Sequence, residues 1–305
     1  MHLANSHARQ PASPSQLVEK IHRIQQSAPG KPRPSQQPTK FFLPGLDDFM
    51  RAMPNHIARS SLFAPVARGR KKLLKDAVLI SRSDALITYS GEQLDEAQSD
   101  VWLHAMHKAI QHGLLGEAIT LRRAEFLRAI GRDTGAWQYK WLHRTLKDLS
   151  FGMLVIEATT AGRSKLQIGH TRALHLLQGF DYDDQQETYT YRIDPRWQEL
   201  FGNKEFILID WEKRLQFGQG QDMAKALQRL VATSADIEQR YSLEWLKDKL
   251  QYSSPTRKFR KALISALEEL KRLGIVSAAR LEVSSRGKEQ ITWWRTVDKA
   301  RNASV

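Results

Sequence analysis

Apolar positions recur at helical spacing in several stretches of the chain. From Glu92 onward Val101, Trp102, Met106 and Ile110 share one face and Gly113 ends the run, which predicts an amphipathic helix. Thr120 is then placed to cap a short helix carrying Phe126, Leu127 and Ile130. A turn at 131–135 leads to a second helix that buries Leu142, Leu146 and Leu149. Strands are expected at 153–159 and 165–169, joined by the turn Ala161-Gly162-Arg163-Ser164.

The same order returns later in the chain. Ser242 is placed to cap a helix with Leu243, Trp245, Leu246 and Leu250 apolar, a turn follows at 251–254, and Pro255 stands at the first position of the next helix. That helix buries Phe259, Leu263, Leu267 and Leu270 and stops at Gly274. Strands at 275–283 and 289–294 then flank a turn at 284–287. The three leucines of the second helix have the same spacing in both copies, so the pattern reads as a duplicated unit of about 100 residues. Helix, turn, helix, hairpin is the order of a winged helix-turn-helix. The expected fold is therefore α+β, mainly helical, with two tandem winged helix-turn-helix domains bearing β-hairpin wings. Between the copies, 180–193 reads as a hairpin with an acidic turn, 206–211 as a buried strand near the domain junction, and 217–221 as a flexible linker.

The first 40 residues differ in kind. They hold six of the eleven prolines, no aromatic residue, and six basic residues against Glu19 alone, so too little apolar surface is available to offset the entropy of ordering. The expected organisation is a disordered basic arm at 1–40, an N-terminal winged-helix domain at 41–210, a C-terminal one at 211–296, and a tail at 297–305.

Charge narrows the partner. With 47 Lys and Arg against 33 Asp and Glu, the chain carries +14 at neutral pH, which favours a polyanion. No apolar run approaches the roughly 18 residues needed to span a bilayer, and the N-terminus lacks the apolar core of a secretory signal, so a cytoplasmic location without membrane contact is expected. Part of the excess is focused. Residues 253–288 carry nine basic residues against three acidic. Turning 100° per residue from Leu263 puts Arg257, Lys258, Lys261 and Ser265 on the outer face of the second helix. Such a helix suits the DNA major groove, with Arg257, Lys258, Lys261 and Ser265 as base readers, because a guanidinium can grip guanine O6 and N7 together. Ser254, Arg260, Arg286 and Lys288 are candidates for the DNA backbone. In the first copy Lys140, Arg144 and Lys147 take that role more weakly, beside Trp137. The opposing reading, that these cations are merely solvated, has to explain their concentration on one helix of a helix-turn-helix. The run Arg68 to Lys72 with Lys75 reads first as a solvated loop.

Catalytic signatures are missing from the sequence. The chain has no Cys, which excludes disulfides, thiolate metal sites and a Cys nucleophile. It also lacks a Gly-x4-Gly-Lys-Ser/Thr loop, a Gly-x-Ser-x-Gly elbow and a His-x-His pair. His104, His107 and Asp100 share a helix face but form no extended ligand set and read as surface histidines; Asp181, Asp183, Asp184 and Glu187 read as a solvated turn. Neither an enzyme, a cofactor nor a metal is expected.

Five further motifs carry a family resemblance. Arg51-Ala-Met-Pro-Asn55, Ala58-Arg-Ser-Ser-Leu-Phe63, Ile87-Thr-Tyr-Ser-Gly91, Asp100-Val-Trp102 and Trp211-Glu-Lys213 resemble the TrfA-type plasmid replication initiators over about residues 40–295. The resemblance implies binding to tandem origin repeats (iterons), melting of an adjacent AT-rich segment, and recruitment of the host initiator ATPase, the replicative helicase and the sliding clamp. It also implies dimers in equilibrium with active monomers. The family's clamp-binding Gln-Leu-x-Leu-Phe peptide falls on Gln37-Pro-Thr-Lys-Phe41, which keeps Gln37 and Phe41 and loses both leucines. Two other functions fit the residues: a winged-helix transcriptional repressor that binds an operator, and an interaction or scaffold protein in which Trp137 and Trp141 mark a partner surface.

Overall fold

The computed structural model describes residues 41–66, 71–158, 166 and 171–297. The basic arm at 1–40, Gln37, Arg68, the 161–164 turn and the tail beyond Val297 lie outside the described residues. The elements in chain order are β1 (Met50–Pro54), α1 (Asn55–Arg59), β2 (Phe63–Ala64), β3 (Leu73–Leu79), β4 (Ala85–Glu92), β5 (Leu94–Asp95) and α2 (Glu96–His112). They continue with β6 (Ile119–Arg122), α3 (Arg123–Ala129), α4 (Ala136–Phe151), β7 (Met153–Ala158), β8 (Thr171–His175), β9 (Gly179–Asp183), β10 (Thr188–Arg192), α5 (Trp197–Leu200) and β11 (Phe206–Asp210). The remainder is α6 (Trp211–Leu215), α7 (Asp222–Val231), β12 (Glu238–Ser242), α8 (Leu243–Lys249), α9 (Thr256–Arg272), β13 (Val276–Val283) and β14 (Glu289–Arg295). The fold is mixed α+β with several small sheets.

Buried apolar side chains form two clusters, one drawn from 41–211 and the other from 217–293. Leu142, Leu146 and Leu149 of α4 lie in the first, and Phe259, Leu263, Leu267 and Leu270 of α9 in the second, as their spacing predicts. Beneath these stripes the clusters share a plan. In each, a helix (α2 or α7) precedes a short strand, two helices and a hairpin, and the sheet order is the same: β6-β10-β9 in the first, β12-β14-β13 in the second. The hairpin answering 276–295 is therefore 179–192, not the expected one at 153–169. β7 and β8 instead complete a four-stranded sheet, β3-β4-β7-β8, with Met153 opposite His175 and Glu157 opposite Thr171. Its second strand lies at 171–175, and of the expected 165–169 strand only Leu166 is among the described residues.

Several local expectations shift for identifiable reasons. The helix expected from Glu92 begins at Glu96, because Asp95 and Gln98 form a reciprocal capping box, and it ends at Gly113, whose φ of 105° suits glycine. Thr120 is not a cap. It lies in β6 with its hydroxyl 2.8 Å from that of Thr190 across the sheet, and α3 starts three residues later. Ser242 does cap α8, accepting from the Trp245 amide at 3.1 Å. The stretch at 217–221 is not merely a linker: Phe217 is buried in the second cluster, and α7 follows at once.

The family-like motifs are architectural. Arg51 stacks over Trp211 at 4.7 Å and donates to the carbonyls of Asp48 and Met50 at 2.8 Å each, while β1 pairs antiparallel with β11. Gly91 packs so tightly that a Cβ there would fall 2.9 Å from the Gly152 Cα and 2.6 Å from the Tyr89 hydroxyl. Asp100 leads into a buried ion network described below, and Trp102 donates its indole N–H to the Leu176 carbonyl at 3.1 Å.

A candidate nucleic-acid interface

The last long helix, α9, buries its Phe259, Leu263, Leu267 and Leu270 edge and leaves the opposite edge in solvent. Its outer face carries Arg257, Lys258, Lys261 and Ser265, all exposed. Among the described residues none of the three cations has an ion-pair partner, whereas most other surface arginines here do. Unpaired cations side by side repel one another, so this face gains most from an external anion. No side chain caps the helix at Pro255, which leaves first-turn amides able to donate outward beside the half-buried Ser254.

Arg260 differs from these three in having an ion-pair partner. Its Nη2 donates to both carboxylate oxygens of Glu289, at 2.5 and 2.7 Å, in an exposed pair that ties α9 to strand β14. Arg272 is likewise paired within the helix, to Glu269. At the hairpin tip Gly287, with φ of 73°, closes a turn in which the Lys288 amide donates to the Ser284 hydroxyl at 3.2 Å; Arg286 and Lys288 are both exposed there.

In the first unit α4 presents exposed Lys140, Arg144 and Lys147 with Trp137, which is 67% exposed. Trp141 is not an open partner surface, because it is half-buried with the Arg132 guanidinium 3.6 Å above its ring. The tip of the matching hairpin is acidic: Asp181, Asp183, Asp184 and Glu187 are exposed as expected, with Glu187 paired to Arg123. The two units therefore offer hairpin tips of opposite charge.

Phe41 corrects the reading of the Gln37–Phe41 peptide as a clamp ligand. It is 7% exposed, packs edge-on against Phe201 at 5.6 Å and donates its amide to the Gly113 carbonyl at 2.7 Å, so it is a core ring. His104 and His107 are also not surface residues. Burial, reinforced by Arg51 and Lys108, pushes His104 down to about 3 and His107 down to about 4, so both are neutral at neutral pH. No group of three or more His, Cys, Asp or Glu among the described residues is placed to hold a metal, and no described helix is long and apolar enough to cross a membrane.

One feature gave no sequence signal beyond its charges. Glu96 and Asp100, one turn apart on α2, meet cations from the second half of the chain. Arg214 donates to Glu96 at 2.9 Å and to Asp100 at 2.5 Å, Arg229 lies 2.8 Å from Glu96, and Lys225 reaches Asp100 at 2.6 Å. Arg229 also donates to the Phe63 carbonyl at 2.7 Å, and buried Lys249 donates to the Ser60 carbonyl. Burial opposes the charge on Arg214, yet Asp100 and Glu96 hold its pKa above the ordinary value. The bonds to Glu96 and Asp100 join α2 of the first unit to α6 and α7, and so set how the exposed faces of α4 and α9 are carried.

The architecture defines a protein of two related helix-pair-and-hairpin units, each with one basic helix in solvent. Comparison with known proteins gives the family. The chain belongs to the TrfA protein family, whose sequence pattern matches residues 12–284. It is 26% identical over 241 residues to the plasmid replication initiator protein TrfA of Escherichia coli, covering 76% of this chain and 59% of that protein. It is 25% identical over 236 residues to the replication protein RepA of Salmonella typhi, covering 72% of this chain and 66% of that protein. The chain thus spans less than two thirds of the length of each of these relatives. Among solved structures, a crystal structure of domains 2 and 3 of RctB matches with a TM-score of 0.53 at 13% identity, over 81% of this chain and 99% of that one, which shows a shared fold.

Proposed function

We propose that this protein initiates plasmid DNA replication by binding repeated sites at an origin through two winged helices. The carrying observation is the outer face of α9, where Arg257, Lys258 and Lys261 lie side by side without ion-pair partners on the second helix of a helix-turn-helix. Family membership and the initiator role named for the Escherichia coli relative support the same reading.

In this reading residues 211–296 form the base-reading winged helix and 41–210 the unit that holds the DNA backbone and dimerises. The guanidinium of Arg257 grips a guanine, with Lys258, Lys261 and Ser265 on neighbouring base edges. Ser254, Arg286 and Lys288 then meet phosphates on one flank, and Lys140, Arg144 and Lys147 do so on the other. The protein works in the cytoplasm as monomers in equilibrium with dimers, opens an adjacent AT-rich segment, and recruits a host initiator ATPase and a replicative helicase. It uses no cofactor and catalyses no reaction. Gel-shift titration at moderate salt tests the reading: the chain binds its own upstream DNA at least a hundredfold more tightly than random duplex. Equal affinities overturn it. Specific binding with no permanganate-sensitive strand opening replaces initiation with operator repression.

A further inference from the structure

The basic face of α9 is bordered by one exposed apolar side chain. Ile264 is 45% exposed, on the Arg257 side of that face, while its neighbour Leu263 is fully buried. A single exposed aliphatic residue is ordinary on a protein surface. This one lies at the edge of the face that carries the unpaired cations. Turning 100° per residue places it 20° around the helix from Arg257, and seven residues later in the chain, about 10 Å further along the axis. Projected on the axis of duplex DNA, that rise spans at most about three base-pair steps.

A β-branched side chain at this position adds nothing to the buried stripe and is less favourable in a helix than Leu or Lys. Its chemistry is also of no use to a phosphate. What the major groove does offer an aliphatic group is the C5-methyl of thymine, the apolar feature that marks that base. Contact with the methyl removes both from water, whereas cytosine at the same place presents an amino donor that Ile264 leaves unpaired.

We infer that Ile264 is a specificity-determining residue that reads a thymine methyl group within about three base pairs of the guanine held by Arg257. The inference rests on the proposed function of α9 and adds a second kind of readout to it, apolar beside charged. Methyl recognition also needs no ion pair, so it persists at salt concentrations that weaken the phosphate contacts.

The test uses the full chain and a duplex selected by it from a random library. Each thymine in that duplex is replaced in turn by deoxyuridine, which deletes the methyl group and leaves base pairing intact. One such replacement weakens wild-type binding about fourfold, the factor for one buried carbon. Ile264→Ala weakens binding to the thymine duplex by a similar factor and no longer responds to that replacement, while Ile264→Val keeps part of the response. Circular dichroism and thermal unfolding of both variants match wild type, since the side chain lies outside the core. Selective binding with no uridine-sensitive position, or sensitivity retained in Ile264→Ala, overturns the inference and leaves the reading of Arg257 standing. Failure of the library to yield any preferred duplex overturns both.

Discussion

Arg214 and Glu96 lie 2.9 Å apart, both fully buried, although they are 118 positions apart in the chain. Glu96 also meets Arg229, so one carboxylate balances two guanidinium groups at the junction of the two units. Replacing Glu96 by Gln leaves both cations buried with reduced compensation, at an expected cost of about 3–5 kcal/mol. Glu289→Gln, which breaks the solvent-exposed pair with Arg260, costs no more than about 1 kcal/mol. Urea unfolding of the two variants checks this. Equal shifts in midpoint would show that the junction network contributes no more than a surface pair.

His104 and His107 make stability depend on acidity. Both pKa values are depressed in the fold, to about 3 and about 4, against an ordinary 6.5. Their contribution is therefore fully present above about pH 6.5. It is lost as pH falls toward 4, because the unfolded chain takes up protons that the fold refuses, at up to about 1.4 kcal/mol per pH unit for each histidine. A His104→Gln, His107→Gln double variant flattens this limb whatever its absolute stability. Chemical denaturation at a series of pH values between 4 and 7 reads the slope, and an unchanged slope contradicts the assignment.

The acidic hairpin tip of the first unit should restrain DNA binding. If that hairpin approaches a duplex as a wing does, Asp181→Lys with Asp184→Lys raises affinity for random DNA several-fold and steepens its salt dependence by about one unit per phosphate contacted. Unchanged affinity and slope would place the tip away from the DNA.

Ser242→Ala removes the hydroxyl that accepts from the Trp245 amide and costs about 1 kcal/mol. Thermal unfolding measures it. A loss near zero would mean that solvent caps α8 equally well.

What could be read in the sequence follows from how local each signal is. The leucine triplets of α4 and α9 and the cap at Ser242 are set within a few residues, and helical periodicity reports them directly. The hairpin of the first unit was misassigned because strand identity depends on pairing between β6 and β10, which no local pattern records. Helix α7 went unread although Met223, Leu227 and Leu230 have helical spacing, since glycines at 218 and 220 drew the segment toward a linker. Glu96, Asp100, Arg214 and Arg229 carry no local mark of burial, because nothing in a sequence shows that opposite charges distant in the chain neutralise one another in the interior. For the same reason Arg260 could not be told from Arg257: only the fold brings Glu289 to one and not to the other.

Footprinting of wild type and Arg257→Ala on the DNA flanking the gene tests the central claim most directly. Wild type gives regularly spaced protection over direct repeats. Arg257→Ala loses about 1–3 kcal/mol on those repeats and relaxes preference at one base pair, while Lys140→Ala weakens binding evenly on specific and random DNA. Equal losses on repeats and random DNA for Arg257→Ala would contradict the claim and remove α9 as the helix that reads the origin.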